Sequence, residues 1–164
     1  MKTLVLGVGN TLLADDGAGV HAMQFLKDQY DLPDTEFLDG GTQTFTLAGA
    51  IAEATNLIIF DAAQLDSEPG TVRVFEGAEL QDYLMSGNHS VYEVGFADLT
   101  DITRLLDCLP DNCALIGIQP EYVDWSDRPG EAVREAIPKA AAYGAELISR
   151  WRDDALALQW RTAS

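Results

Sequence analysis

The sequence predicts an α/β fold: an open, mostly parallel twisted sheet of about five strands with helices on both faces. Three observations carry that prediction. Short apolar runs such as Leu4-Val5-Leu6 and Leu57-Ile58-Ile59-Phe60 are continuous rather than alternating, which suits strands buried on both faces. Segments with apolar residues at helical spacing separate them. The two patterns alternate along the chain, as strand–helix–strand units require.

The first strand runs from Lys2 to Gly9. Val20, Met23, Leu26 and Tyr30 then share one face of a helix predicted over Gly17 to Tyr30. After Pro33, a short second strand covers Thr35 to Leu38 and closes with Asp39-Gly40-Gly41-Thr42-Gln43. Phe45 to Ala54 suits a short helix. Asn56 to Asp61 is a buried strand ending in an acid. Glu68-Pro69-Gly70 turns the chain into Thr71 to Phe75, which alternates like an edge or antiparallel strand. Ala78 to Met85 reads as helical. Asp98 to Leu109 is an amphipathic helix broken by Pro110-Asp111-Asn112, and Cys113 to Ile118 is a further buried strand ending in Gln119-Pro120-Glu121. The last helix is predicted from Pro129, a favoured first-turn residue, to Trp151. Val133, Ile137, Ala141, Ile148 and Trp151 face inward, with a kink at Pro138. Asp153 to Ser164 is expected to fray. Residues 1–164 are expected to form a single domain, with no internal repeat or linker.

Composition narrows the function. A net charge of −17 leaves no basic face for nucleic acid or an anionic membrane surface. No apolar run is long enough to span a bilayer. Met1-Lys2-Thr3 leads straight into a strand rather than into a signal peptide, so a cytoplasmic location is expected. Cys108 and Cys113 lack a zinc-site spacing and are expected to be reduced, small apolar residues. With two histidines in the chain, neither in a serine or cysteine protease context, a Ser-His-Asp arrangement is disfavoured.

The chemistry concentrates after the first strand, in Gly7-Val8-Gly9-Asn10-Thr11-Leu12-Leu13-Ala14-Asp15-Asp16-Gly17-Ala18-Gly19-Val20. A dinucleotide fingerprint would need a third glycine where Leu12 stands. Asp15 and Asp16 also occupy the helix start that a pyrophosphate would use. In such sheets ligands bind at the carboxyl ends of the strands. Asn10, Asp15, Asp16, the Asp39-Gly40-Gly41-Thr42 stretch, Asp61 and Gln119-Pro120-Glu121 are all placed there. If the first and third strands are neighbours, Asp16 and Asp61 approach each other, and two carboxylates in one cleft call for a cation or a shared proton. Taken singly, Asp16 is equally what a helix cap needs, Asp61 what a turn needs, and Gly40-Gly41 an ordinary turn. His21, one turn into the first helix, is read as a surface or packing residue.

The loop resembles the opening of the hydrogenase maturation endopeptidases, the proteases that remove a C-terminal extension from the large-subunit precursor of nickel-iron hydrogenase. Their pattern, Gly-x-Gly-Asn-x-Leu-x-x-Asp-Asp/Glu-x-x-Gly-Val/Leu, is met at every fixed position from Gly7 to Val20. Asp39-Gly40-Gly41-Thr42 matches a further motif, with Thr44 in place of its final glycine. Pro69-Gly70-Thr71 and Gly117-Ile118-Gln119-Pro120-Glu121 match two more. The resemblance implies that Asp16 and Asp61 are metal ligands and candidate catalytic groups. It also implies that Asn10, Asp39, Gly40, Gly41 and Thr42 border the substrate.

The chain departs from the family at the third ligand. The family's histidine column is occupied by Tyr92 in Ser90-Val91-Tyr92-Glu93-Val94-Gly95-Phe96. His89 lies three residues earlier, so His89 or Tyr92 is the expected third ligand, with Glu93 a further oxygen donor. A phenol is a poor ligand at neutral pH because it must lose a proton with a pKa near 10. The implied substrate is the nickel-loaded precursor, whose metal is recognised rather than kept. No permanently bound cofactor is expected, and the chain is expected to be a monomer. Asp16 or Asp61 is the candidate general base, with the nickel or the Asp39-Gly40-Gly41 backbone polarising the carbonyl. An aspartyl dyad needing no nickel is a second mechanism. A non-catalytic protein that binds the precursor or nickel is the alternative function.

Overall fold

The structure, a computed structural model, describes residues 2–41, 48–85, 107 and 109–163. Its strands are β1 (Thr3–Val8), β2 (Thr35–Gly41), β3 (Asn56–Ala62), β4 (Val72–Glu76) and β5 (Asn112–Ile118). Its helices are α1 (Ala18–Gln29), α2 (Ala48–Glu53), α3 (Gly77–Met85) and α4 (Glu131–Ala163), and a 3-10 turn, Ala14–Gly17, precedes α1. The strand order is β2-β1-β3-β5-β4. The first four of these run parallel, and β4 lies antiparallel against β5. This is the predicted mostly parallel sheet, with the alternating segment after Pro69-Gly70 as its antiparallel edge.

Burial explains the continuous apolar runs. Every residue of β1 and β3 is buried. Val5, Ile58, Phe60, Ile116 and Ile118 face α1 and α4 in one core cluster. Leu4, Leu6, Val8, Leu57, Ile59 and Leu115 face the other way, with Ile51 of α2 and Leu80 and Leu84 of α3. Successive side chains of a strand point to opposite faces, so a strand covered on both sides has no polar position to offer. At the amino ends of the strands, a buried polar row fixes the register. Asn112 Nδ2 donates to Asn56 Oδ1 (2.8 Å), and Asn56 Nδ2 donates to Thr3 Oγ1 (3.1 Å). Thr3, Asn56 and Asn112 are register partners, and slipping any strand would strand these groups unpaired.

The five inward positions expected in the last helix are all buried. Several boundaries differ from expectation. The last helix starts at Glu131 and continues to Ala163. Residues 153–163 contain neither glycine nor proline, so nothing in the backbone stops a helix there. Tyr30 is the C-cap of α1 in extended conformation and is exposed, not a member of the buried face. β2 extends through Asp39 to Gly41, where a loop was expected. Its register shifts between Gly7 and Val8. The predicted helix over Asp98 to Leu109 lies outside the described residues but for residues 107 and 109.

α1 lies close on the sheet because of Gly19. A Cβ there would stand 2.2 Å from the Phe60 carbonyl oxygen and 2.4 Å from that of Val8. The backbone of α1 therefore rests directly on β1 and β3, which no other residue permits. Gly19→Ala is expected to push α1 off the sheet and to destabilise the fold by about 3 kcal/mol, toward the upper end of overpacking costs. Urea unfolding of the variant checks this; an unchanged midpoint would show that the contact yields cheaply.

Candidate active site

The loop between β1 and α1 is tied to itself first. Asn10 Oδ1 accepts the Leu12 N–H (2.9 Å). The Leu13 N–H reaches the Asn10 carbonyl (3.1 Å), and the Asp16 N–H reaches the Leu13 carbonyl (3.0 Å). Gly9 makes this compact turn possible. It has φ +130°, and a Cβ would sit 2.0 Å from the Asp16 carbonyl oxygen. The result brings the chain back over its own strand and buries both acids that follow.

The two acids then part company. Asp15 is wholly buried and turns toward the segment after β5. Its Oδ2 accepts the N–H groups of Glu121 (2.9 Å) and Tyr122 (2.8 Å), and its Oδ1 accepts that of Gly130 (2.6 Å). Its own N–H donates to the Tyr122 carbonyl (3.0 Å). Charged acceptors make hydrogen bonds about twice as strong as neutral ones, so Asp15 is the rivet of the 121–130 segment. Asp16 is also buried, yet one of its oxygens is left over. Oδ2 accepts the Asn10 N–H (2.9 Å), and Oδ1 has no partner among the described residues. Burial holds its carboxyl above the ordinary carboxylate range, against the opposing pull of the Asn10 N–H.

Asp61 repeats this pattern from another element. It sits in β3 opposite Gly117 of β5, is buried, and leaves Oδ1 without a partner among the described residues. β1 and β3 are neighbours, as the sequence argument required, and the 3-10 turn that carries Asp16 packs against β3. Asp16 and Asp61 therefore come from touching elements at the carboxyl ends of adjacent strands. An unpaired buried polar atom costs free energy. Two unpartnered carboxylate oxygens are the donor set that a divalent cation fits. Among the described residues no cluster of three His, Cys, Asp or Glu assembles around a metal position. Thr42, His89, Tyr92 and Glu93 lie outside the described residues. Asp39 and Gly41 pair beside Gly7 and Val8, so the Asp39-Gly40-Gly41 stretch ends next to the acidic loop. Asn10, expected to border the substrate, has its side-chain oxygen and its amide engaged in shaping that loop.

Two features were not legible in the sequence. One is the division of labour between Asp15 and Asp16, for which the adjacent pair of acids gives no sign. The other is the segment from Tyr122 to Ser126, which pairs with the loop through a parallel bridge between Leu13 and Ser126. His21 Nε2 is buried without a partner among the described residues. Burial lowers the pKa of His21, and nearby Asp127 raises it. It belongs to the packing between α1 and this segment rather than to the acid pair.

The neighbouring acids should respond oppositely to neutralisation. Asp15→Asn turns an amide donor toward backbone N–H groups and is expected to cost about 2 kcal/mol. Asp16 has a raised folded-state pKa, so its ionised form weighs against folding at neutral pH, and that cost fades as pH falls through the raised pKa and is gone below the ordinary carboxylate value. Asp16→Asn is therefore expected to melt at or above the wild-type temperature at pH 7, with the difference closing near pH about 4. Thermal melts of metal-free protein across that range check both signs.

Known proteins share this architecture. A family model described as hydrogenase maturation protease matches residues 20–146. The hydrogenase expression/formation protein HupD of Rhizobium leguminosarum bv. viciae is 35% identical over 152 residues, covering 92% of this chain and 75% of that protein. The hydrogenase 2 maturation protease of Escherichia coli K12 is 37% identical over 126 residues, 76% of each chain. The solved structure of the hydrogenase maturating endopeptidase HybD from Escherichia coli superposes with a TM-score of 0.77 at 32% identity, over 94% of both chains. The hydrogenase maturation protease HybD from Thermococcus kodakarensis gives 0.73 at 27%, over 90% of this chain and 99% of that one. With most of its length accounted for in this way, the chain belongs to the hydrogenase maturation protease family.

Proposed function

We propose that this hydrogenase maturation endopeptidase removes the C-terminal extension of a nickel-loaded large-subunit precursor, with Asp16 and Asp61 facing the precursor's metal. The observation that carries the reading is the pair of buried carboxylate oxygens without partners on adjoining elements. Nickel accepts oxygen and imidazole donors, so two carboxylates with His89, or with Tyr92 in the family's histidine column, form a sensible claw. The metal arrives with the substrate and leaves with the product. No resident cofactor is part of this reading, and the protein acts as a monomer on its precursor in the cytoplasm.

Peptide hydrolysis also needs a group that takes a proton from water. Asp16 suits that part, because a carboxyl raised by burial is a stronger base than an exposed one. Asp61, buried with a free oxygen on β3, is the second candidate. The Asp39-Gly40-Gly41 backbone, at the end of the neighbouring strand, is placed to border the peptide. Among the described residues no helix is long and apolar enough to cross a membrane.

The test is cleavage of purified precursor, with and without nickel, read by mass. Wild type is expected to cut the loaded form. Asp16→Asn and Asp61→Asn should each lose at least about 100-fold in rate, the scale of a lost acid–base group. Normal processing by Asp16→Asn would sink the assignment. Equal cutting of nickel-free precursor would instead favour an aspartyl dyad, and binding without cutting would favour the non-catalytic alternative. In the same assay, His89→Ala and Tyr92→Phe separate the two candidates for the third ligand: loss in one variant alone names it.

A further inference from the structure

Two large apolar side chains stand in solvent beside the acidic loop. Leu12 is 57% exposed and Trp125 is 75% exposed. They are neighbours by construction. Leu13 and Ser126 form a parallel bridge, the Ser126 N–H donates to the Leu12 carbonyl (2.9 Å), and the Ala14 N–H donates to the Ser126 carbonyl (2.9 Å). Leu12 and Trp125, each one residue before the bridge, therefore stand next to each other across the two paired segments. Their base is firm, because Asp15 holds both ends of the 121–130 segment.

We infer that Leu12 and Trp125 form a lip on which an apolar stretch of the precursor polypeptide, carrying basic side chains, lies as its metal enters the site. The inference rests on the cleavage reading given above and names a contact of the same substrate. Leu12 and Asp16 belong to one short loop, so the lip stands on the same loop as the acid that the metal would reach. The segment around Trp125 also exposes Glu121, Asp124 and Asp127 against a single exposed cation, Arg128. That charge selects against an acidic peptide and favours a basic one. A rigid tryptophan in an acidic rim is the kind of residue that carries binding energy when it is covered.

The experiment measures precursor cleavage, and binding of precursor under non-cleaving conditions, for wild type, Trp125→Ala and the Trp125→Ala/Leu12→Ser pair. Tyr30→Ala, an exposed aromatic at the far end of α1, serves as control. Trp125→Ala is expected to raise KM and Kd about 10-fold, the range of a binding hot spot, with kcat and the unfolding midpoint unchanged. The double variant should go further, and the control should match wild type. Wild-type affinity should also weaken as salt is added. Unchanged KM and Kd in the double variant would overturn the lip and leave the cleavage reading intact. If wild type binds but does not cut, the cleavage reading falls and the Kd comparison still decides the lip. A wild type that does not bind would overturn both.

Discussion

Asp15 gives both carboxylate oxygens to backbone N–H groups of the segment after β5, and the site depends on that bond set. A buried carboxylate is tolerable when it is richly hydrogen-bonded. Asp15 meets that condition with three donors across more than a hundred residues of sequence. The interaction ties the 121–130 segment to the acidic loop. Asp15 is bound to Glu121, Tyr122 and Gly130, while Asp16, the next residue, lies in a turn packed against β3. There it keeps one bond, from Asn10, and one open oxygen. The adjacent acids therefore divide a cost and a function. Asp15 stabilises, and Asp16 retains unmet bonding capacity at the place where a ligand can use it.

The rest of the fold serves this placement through close backbone approach. Gly9 allows the loop to fold back onto the Asp16 carbonyl, and Gly19 allows α1 to lie on β1 and β3. The polar row of Thr3, Asn56 and Asn112 holds the strands in register at the opposite end. A parallel sheet locked there delivers its carboxyl ends at fixed heights, and the turn that carries Asp16 packs against β3, the strand that carries Asp61. This division is ordinary for α/β sheets, in which one end carries stability and the other carries chemistry.

Much of this was legible because period and punctuation are local signals. Continuous apolar runs gave β1, β3 and β5, and the alternating run after Pro69-Gly70 gave an antiparallel edge. The crossover rule allowed the first and third strands to be neighbours without requiring it, and the sheet order sets them side by side. The partner of Asp15 was not legible, because its bonds join Asp15 to backbone groups around residues 121–130, and backbone donors leave no trace in residue identity. The same holds for Leu12 and Trp125, paired through main-chain atoms. The length of β2 was missed because Gly40-Gly41 reads as a turn, whereas the strand absorbs an irregularity there. The tail was missed because hydrophobic spacing was followed to Trp151, while Ala- and Leu-rich sequence continues the helix by propensity.

Charge gives the open oxygens their direction. The chain carries a net charge of −17, and burial weighs against the anion at Asp16. Two such groups on adjoining elements raise that cost, and protonation or a cation relieves it. A proton relieves it at one oxygen. A divalent cation relieves it at both carboxylates together, and two oxygens leave most of its coordination positions to other donors. A metal already seated in another protein has some positions filled and others open, so a site that supplies few ligands is suited to inspecting such a metal rather than extracting it. In the function proposed above, the acid pair would supply the unmet acceptors and the precursor's metal the charge that answers them.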